Sequence, residues 1–135
     1  MSPITLGVSG IILETGRLLL VRRGSGAYAG CWSLPGGRVR PMEPHQQALV
    51  RELAEETGLE VTIDRLAGVA EAIDPAKAWH YLVVSYFVSV TGGQPTAGDD
   101  AAEVRWAAQD DLPGLELTPG LEGYLDRFGC WTASP

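Results

Sequence analysis

The stretch GRVRPMEPHQQALVRELAEETGL, residues 37–59, decides how the rest of the chain is interpreted. Its segment 44–57 consists mostly of good helix formers, and Pro44 is well placed as the first helical residue. Gly58 follows as the residue that ends the helix, because glycine adopts a left-handed backbone without steric strain. The stretch therefore predicts one helix over residues 44–57, entered from a Pro-Gly-Gly turn at residues 35–37.

The predicted helix carries apolar and acidic side chains on opposite sides. Its apolar side consists of Leu49, Val50, Leu53 and Thr57. Its charged side consists of Arg51, Glu52, Glu55 and Glu56. Glutamates three or four positions apart repel each other, which costs a helix a few tenths of a kcal/mol per pair. A hard divalent cation with oxygen ligands would turn this repulsion into attraction, and a solvated acidic face is the alternative.

The same stretch resembles the Nudix box in full. The matching positions are Gly37, five residues, Glu43, seven residues, Arg51-Glu52-Leu53, one residue, Glu55-Glu56, one residue and Gly58-Leu59. A chance match at this many specified positions is on the order of one in ten million for such a chain. The resemblance implies a single Nudix hydrolase domain over residues 1–135, of the α/β (α+β) class: an α/β/α sandwich with a mixed central β-sheet.

The resemblance also implies a metal site. Glu52 and Glu56 are expected to be the main ligands of Mg²⁺, for which Mn²⁺ can substitute, and Glu55 is expected to serve a further ion. The backbone carbonyl of Gly36 is expected to complete the site, where glycine lets the chain approach the ion closely.

Other positions of the box are expected to support the site. Arg51 is expected to hold the glutamates, including Glu43, by charge-assisted hydrogen bonds rather than to touch the substrate. Gly37 and Gly58 are assigned structural roles, the latter at the end of the helix.

The reaction needs a carboxylate that accepts the proton of the attacking water. Glu55 within the box and Glu103 are the candidates, and Asp99 and Asp100 are further ones. For Glu103, an ordinary exposed strand residue is the alternative.

Substrate contacts are sought outside the box. Arg22 and Arg23 end a predicted strand near the cleft and are candidates to grip a phosphate, with a plain surface role as the alternative. Three aromatic residues are candidates to stack on a base, with burial in the core as the alternative: Tyr28, Trp32 and Trp79. His80 is expected to be a packing or hydrogen-bonding residue rather than a base.

The remaining segments predict strands on both sides of the helix. β-branched and apolar runs predict strands at residues 4–13, 17–22, 60–73, 79–90 and 103–107, with a short extended piece at 32–34. Residues 24–30 are too rich in glycine for a regular element and predict a surface loop. A closing helix is predicted over residues 119–128. Strands before, around and after two helices indicate a mixed sheet packed between helices.

Composition limits the classes of function. The chain has 135 residues, 45% of them hydrophobic, and a formal net charge of −7. It therefore offers no broad basic surface for nucleic acid or an anionic membrane. The apolar run 4–21 is interrupted by Glu14 and Arg17 and is too polar to span a bilayer. Cys31 and Cys130 are expected to be free thiols of a cytoplasmic protein, with a disulfide as the alternative.

Three hypotheses of function are carried forward. Residues 103–121, EVRWAAQDDLPGLELTPGL, resemble members of the family that degrade nucleoside diphosphate derivatives. The leading hypothesis is hydrolysis of an ADP-ribose-like nucleoside diphosphate sugar to a nucleoside monophosphate and a sugar phosphate. A pyrophosphatase of oxidised or ordinary nucleoside triphosphates is the second, and a non-catalytic nucleotide-binding regulator is the third. The expected partner is a small nucleotide, and the expected state is a monomer or homodimer.

Overall fold

The computed structural model describes residues 3–98 and 101–131. The strands are β1 (Thr5–Ile11), β2 (Leu13–Glu14), β3 (Arg17–Arg23), β4 (Trp32–Ser33), β5 (Gly36–Arg38), β6 (Glu60–Asp74), β7 (Trp79–Gly92) and β8 (Ala101–Ala108). The helices are α1 (His45–Thr57) and α2 (Leu121–Arg127), with a 3-10 helix over Gln109–Gly114 between β8 and α2.

The strands form two four-stranded sheets. The first has the order β5-β1-β7-β6 and is mixed, because β1 is parallel to β7 while the β5–β1 and β7–β6 pairs are antiparallel. In the second, β3 pairs antiparallel with β2, β4 and β8. The predicted mixed sheet is confirmed, and a second, antiparallel sheet accompanies it.

Side chains that alternate along the strands divide the interior into two cores, because successive residues of a strand point to opposite faces. Leu19 of β3 packs in the core that contains Leu49 and Leu53 of α1. Its neighbours Leu18 and Leu20 pack in the other core, with Leu121 and Leu125 of α2. Fully burying each such leucine stabilises the fold by about 1.5–3 kcal/mol. The two helices therefore cover opposite faces, which gives the predicted α/β/α layers.

Helix α1 begins and ends close to the predicted positions. Pro44 lies one residue before the helix, in an extended conformation, rather than as its first residue. Gly58 ends it with φ of 74° and donates its N–H to the carbonyl of Ala54. The buried residues of α1 are Ala48, Leu49, Leu53 and Thr57. The assignment of Val50 to this buried side was wrong: its side chain is 39% exposed, at the edge of the stripe centred on Leu49 and Leu53.

Residues 36–37 are not the predicted turn but belong to β5, where Gly36 pairs with Ser9 and Gly37 with Val8. The two glycines are needed for close approach. A Cβ atom at Gly36 would collide with the carbonyl oxygen of Val8. The residues next to the glycines in sequence could not reveal this pairing, because the partner strand is some thirty positions away.

Other elements match or refine the prediction. β6 and β7 form the expected long hairpin, closed by a turn over residues 75–78. The 3-10 helix was not predicted. In the described part of the chain, none of the helices has the length and apolar character needed to cross a membrane. Cys31 and Cys130 are both free, as expected.

Candidate active site

An open cleft of about 650 Å³ lies between the charged side of α1, strand β5 and the loop that follows β3. Its walls include the three glutamates of the predicted metal site, Glu52, Glu55 and Glu56. Gly36–Arg38 of β5 also line it, together with Arg23, Ser25 and Gly26. The structure thus brings the helix carboxylates together with the glycine pair that precedes the box.

Two of the three carboxylates lie directly against the glycines. The backbone N–H of Gly36 donates a hydrogen bond of 2.8 Å to Oε1 of Glu56. The carboxylate of Glu52 lies against Gly37, where any Cβ atom would overlap it. Strand β5 therefore fixes the positions of both acids relative to the sheet, and only glycine leaves room for this packing.

Arg51 forms hydrogen bonds with three acids around the cleft. Its Nε and Nη2 donate to the two oxygens of Glu43 at 2.8 and 2.9 Å, a bidentate pair. Its Nη1 donates to Glu52 at 2.8 Å and to Glu55 at 3.1 Å. Its Nη2 also donates to the carbonyl of Arg38 at 3.1 Å. These bonds occupy all five N–H donors of the guanidinium, so it has none left for a substrate.

The charges of Arg51 and Glu43 are fixed across the physiological range. Hydrogen bonds from the Arg51 side chain, and then from the Arg40 backbone, hold the pKa of Glu43 at about 2, below its usual 4.5. The hydrogen bond to Glu43 also raises the pKa of Arg51 above its usual value. Arg51 and Glu43 are therefore a permanently charged pair that supports the cleft from behind.

The three carboxylates of the cleft suit a hard divalent cation, which prefers oxygen ligands. Within residues 3–98 and 101–131, however, no three His, Cys, Asp or Glu side chains are already arranged as a metal site. Glu52 and Glu55 both bond to Arg51, while Glu56 bonds to Gly36. The residue types and their shared cleft fit a divalent ion.

A second, more apolar cavity of about 200 Å³ adjoins the cleft. The two spaces share Arg23 and the strand Gly36–Arg38 in their walls. The floor of the cavity is the face of the mixed sheet opposite α1, and its sides include Tyr28, Tyr124 and Phe128. The cleft lined by acids and the cavity that contains the aromatic rings are therefore neighbours.

The two arginines at the end of β3 differ in their placement. Arg23 lines both spaces, and its Nε donates to the carbonyl of Ala27 at 2.6 Å. Arg22 instead forms an ion pair of 2.5 Å with Glu103 of β8, which lies opposite it in register. Neither Arg22 nor Glu103 is part of the cleft wall. The structure therefore brings Arg23, but not Arg22 or Glu103, to the helix carboxylates.

The candidate aromatic residues also lie in different parts of the structure. Tyr28 lines the apolar cavity and makes an edge contact with Trp79 at 5.4 Å between ring centroids. Trp32 is buried in the core beneath α2, so the packing alternative holds for it. His80 bonds to Glu71 at 2.7 Å, as expected of a hydrogen-bonding residue. Asp99 and Asp100 lie outside the described residues.

Sequence patterns missed two features of the site. Arg38, one position beyond the glycine pair, lines both spaces. Ser9 and Ser85 lie side by side on the cavity floor, with their hydroxyl oxygens 2.7 Å apart. The first could have been found from its position inside the box, whereas the second depends on the parallel pairing of β1 with β7.

Comparison with known proteins agrees with this arrangement. The NUDIX domain family matches residues 3–128. An ADP-ribose pyrophosphatase of Methanocaldococcus jannaschii is 37% identical over 110 residues, which cover 82% of this chain and 65% of that protein. A putative 8-oxo-dGTP diphosphatase of Bacillus subtilis is 35% identical over 126 residues, covering 92% of this chain and 79% of that protein.

A solved structure has the same architecture. The MutT NUDIX hydrolase from Burkholderia pseudomallei superposes with a TM-score of 0.85 at 33% identity, covering 93% of this chain and 98% of that one. The family match, the two relatives and the shared fold all include the helix and strand that form the cleft. The chain belongs to the Nudix hydrolase family.

Proposed function

We propose that this protein hydrolyses a phosphoanhydride bond in a nucleoside diphosphate linked to a second group, most favourably a sugar as in ADP-ribose. The observation that carries the proposal is that the two spaces lie side by side. Three carboxylates suited to a cation line the cleft, and an apolar cavity suited to a ring system shares part of its wall. A nucleotide combines these two chemistries in one molecule, a polyanion joined to a planar ring.

Glu52 and Glu56, with the carbonyl of Gly36, would hold Mg²⁺ in this proposal, and Mn²⁺ could replace it. When bound, the ion neutralises phosphate oxygens and lowers the pKa of water. It also explains how a chain of net charge −7 can accept a polyanionic substrate. Arg51, itself paired with Glu43, keeps Glu52 and Glu55 in position through its hydrogen bonds.

Glu55 is the preferred general base. It lines the cleft, and its side chain is 36% exposed, so water can reach it. Glu103 is held by Arg22 on the neighbouring sheet, outside the cleft wall. In the reaction, the oxygen of water forms a bond to phosphorus, the anhydride oxygen leaves with the bonding pair, and Glu55 accepts the proton.

Arg23 and Arg38 are the proposed phosphate contacts, because both lie in the wall shared by the cleft and the cavity. A guanidinium at that junction can bind the phosphates that connect a base in the cavity to the scissile bond in the cleft. Tyr28 contributes an aromatic wall to the cavity. Arg22 is given no substrate role.

The names of the relatives support two substrate classes. The M. jannaschii relative is named for ADP-ribose, which supports a nucleoside diphosphate sugar. The B. subtilis relative is named for 8-oxo-dGTP and matches more of this chain, which favours a nucleoside triphosphate as the second candidate. Because the chain spans only 65% of the first relative, its name is support for a proposal rather than an identification.

A product assay distinguishes these candidates. The protein is incubated with Mg²⁺ and, separately, ADP-ribose, 8-oxo-dGTP and an unmodified nucleoside triphosphate, and the products are separated by ion-exchange chromatography. AMP with ribose 5-phosphate is the expected result. Release of pyrophosphate from the triphosphates alone would replace the first candidate by the second. Binding of nucleotide with no turnover of any of them would refute hydrolysis and leave a regulatory nucleotide-binding protein.

A further inference from the structure

Small side chains form part of the floor of the apolar cavity, beside Tyr81 and Val83 of β7. Strand β1 contributes Gly7 and Ser9, and β6 contributes Ala70 and Ala72. Ser85 of β7 lies between them, paired in register with Ser9. These positions share the sheet face opposite α1, where neighbouring positions carry large residues such as Ile11 and Phe87. The small residues at these positions therefore leave room above this part of the sheet.

The walls of this cavity are tied to the sheet. The Tyr124 hydroxyl of α2 donates to the backbone carbonyl of Glu71 at 2.6 Å and accepts from the N–H of the same residue at 3.2 Å. On the other side, Tyr28 is braced by the ring of Trp79. Two aromatic side chains thus bound a space whose volume, about 200 Å³, is below the roughly 300–1,000 Å³ of sites that enclose a whole ligand. The space fits one planar ring system.

The hydroxyls of Ser9 and Ser85 supply the polar group of this floor. Their side chains are buried, with residue exposures of 7% and 1%, and they bond to each other, with either oxygen able to donate. Each hydroxyl has one donor and two acceptor sites, so the mutual bond leaves one donor and three acceptor sites free. The direction of the bond can reverse, so the free O–H can belong to either serine.

From this geometry we infer that the Ser9–Ser85 hydroxyl pair is the base-recognition element of the proposed substrate site, and that it makes the site permissive. The inference rests on the proposed function. If the edge of the ring carries an acceptor, the free O–H of the pair donates to it. If the edge carries a donor, the hydroxyl oxygen of either serine accepts its hydrogen bond. A side-chain amide has donors and acceptor fixed at opposite ends and would require one orientation. The cavity therefore accepts purines that differ in the donor or acceptor at one edge.

Adenine and hypoxanthine test this directly, because they differ by an amino donor and a carbonyl acceptor at the same ring position. The wild-type protein should hydrolyse ADP-ribose and inosine diphosphate ribose with kcat/KM values within about tenfold of each other. Ser85→Ala and Ser9→Ala should each lower kcat/KM for both substrates by roughly threefold to tenfold, the range of one neutral hydrogen bond. The effect should be in KM, since the serines are remote from the scissile bond.

Ser89→Ala is the matched control. Ser89 also lies on β7, but its hydroxyl donates to Asp64 at an exposed position outside the cavity, so this variant should match the wild type. A wild-type preference greater than tenfold for one purine would overturn permissive recognition. Serine variants with unchanged kinetics on both substrates would overturn the assignment of the pair.

Binding without metal separates this inference from the proposed reaction. Adenosine and inosine carry no phosphate, so their binding can be followed by NMR titration of the metal-free protein. Both nucleosides should shift the amide signals of Ser9 and Ser85 in the wild type, and bind more weakly to the double Ser9→Ala/Ser85→Ala variant. Nucleosides that bind in this way while no nucleotide is hydrolysed would refute the reaction alone. Nucleosides that leave these signals unmoved would refute recognition by the serine pair.

Discussion

The carboxylate of Glu52 lies in the space that a side chain at Gly37 would occupy. The contact joins strand β5 to the charged side of α1. The obstructing atoms are the far end of a flexible side chain, whereas the atoms that obstruct Gly36 are backbone. A substitution at Gly37 is therefore expected to displace the acid and leave the sheet intact.

Gly37→Ala should lower hydrolytic activity at least about tenfold, because Glu52, a proposed metal ligand, must leave its position, and loss of a group that orients a metal ligand costs about 10- to 100-fold. The thermal unfolding midpoint should change little. Gly123→Ala is the control: a Cβ atom there meets nothing within 4 Å, and alanine in a helix is more stable than glycine by about 0.5–1 kcal/mol. Equal activity in the two variants would contradict the proposed role of Glu52.

Glu56→Gln should reduce turnover more than about 100-fold, beyond the usual effect of losing an outer-shell partner of a metal. The substitution removes one ligand charge but keeps an acceptor for the N–H of Gly36, so the fold should be retained. The measurements are kcat with saturating Mg²⁺ and circular dichroism. Glu122→Gln, at an exposed position of α2, should behave as the wild type. A fully active Glu56→Gln protein would remove the metal site from the proposal.

Glu55→Gln and Glu103→Gln decide between the two candidate bases. If Glu55 accepts the proton, its amide variant should lose about 10²- to 10⁴-fold in kcat. Glu103→Gln should lose less than about tenfold, because its exposed pair with Arg22 contributes about 0–1 kcal/mol to stability and lies outside the cleft wall. Steady-state measurement of kcat for both variants on one substrate shows which substitution costs more. A larger loss in Glu103→Gln than in Glu55→Gln would identify Glu103 of β8 as the general base.

Acidification should remove the contribution of Glu43. Its pKa is about 2 in the folded protein, below the usual 4.5, so its ionised form stabilises the fold above about pH 4.5. That stabilisation is lost as the pH falls toward 2. The difference in unfolding midpoint between the wild type and Glu43→Gln should therefore be largest near neutral pH and shrink below about 4.5. Thermal melts at pH 7, 5, 4 and 3 test this.

Arg51→Met removes the main cause of the low Glu43 pKa and is the companion variant. Its own stability deficit should follow the same pH dependence as that of Glu43→Gln. A deficit that stays constant from pH 7 to 3 in both variants would show that the ion pair does not carry the acid sensitivity.

The sequence was informative where structure depends on nearby residues. The bounds of α1 follow from the positions of Pro44 and Gly58, and the acids of its charged side follow from helical periodicity. The long hairpin of β6 and β7 follows from two β-branched runs separated by a short turn.

Pairing between strands that are distant in sequence could not be predicted from local patterns. The strand character of Gly36 depends on pairing with Ser9, and the ion pair of Arg22 with Glu103 depends on the register of β3 and β8. Arg22 and Arg23 are adjacent and chemically identical, yet only Arg23 reaches the cleft. Such choices are made by tertiary contacts between strands, and no local pattern encodes them.

The alternation of side chains between two cores has an evolutionary consequence. Ser9 and Ser85 lie on the sheet face that α2 covers, whereas the residues that pack against α1 project from the other face. Substitutions at well-separated sites without shared partners usually have additive effects, within about 0.3–0.5 kcal/mol. Descendants of such a chain are free to diversify one side of the sheet while the opposite side is inherited unchanged.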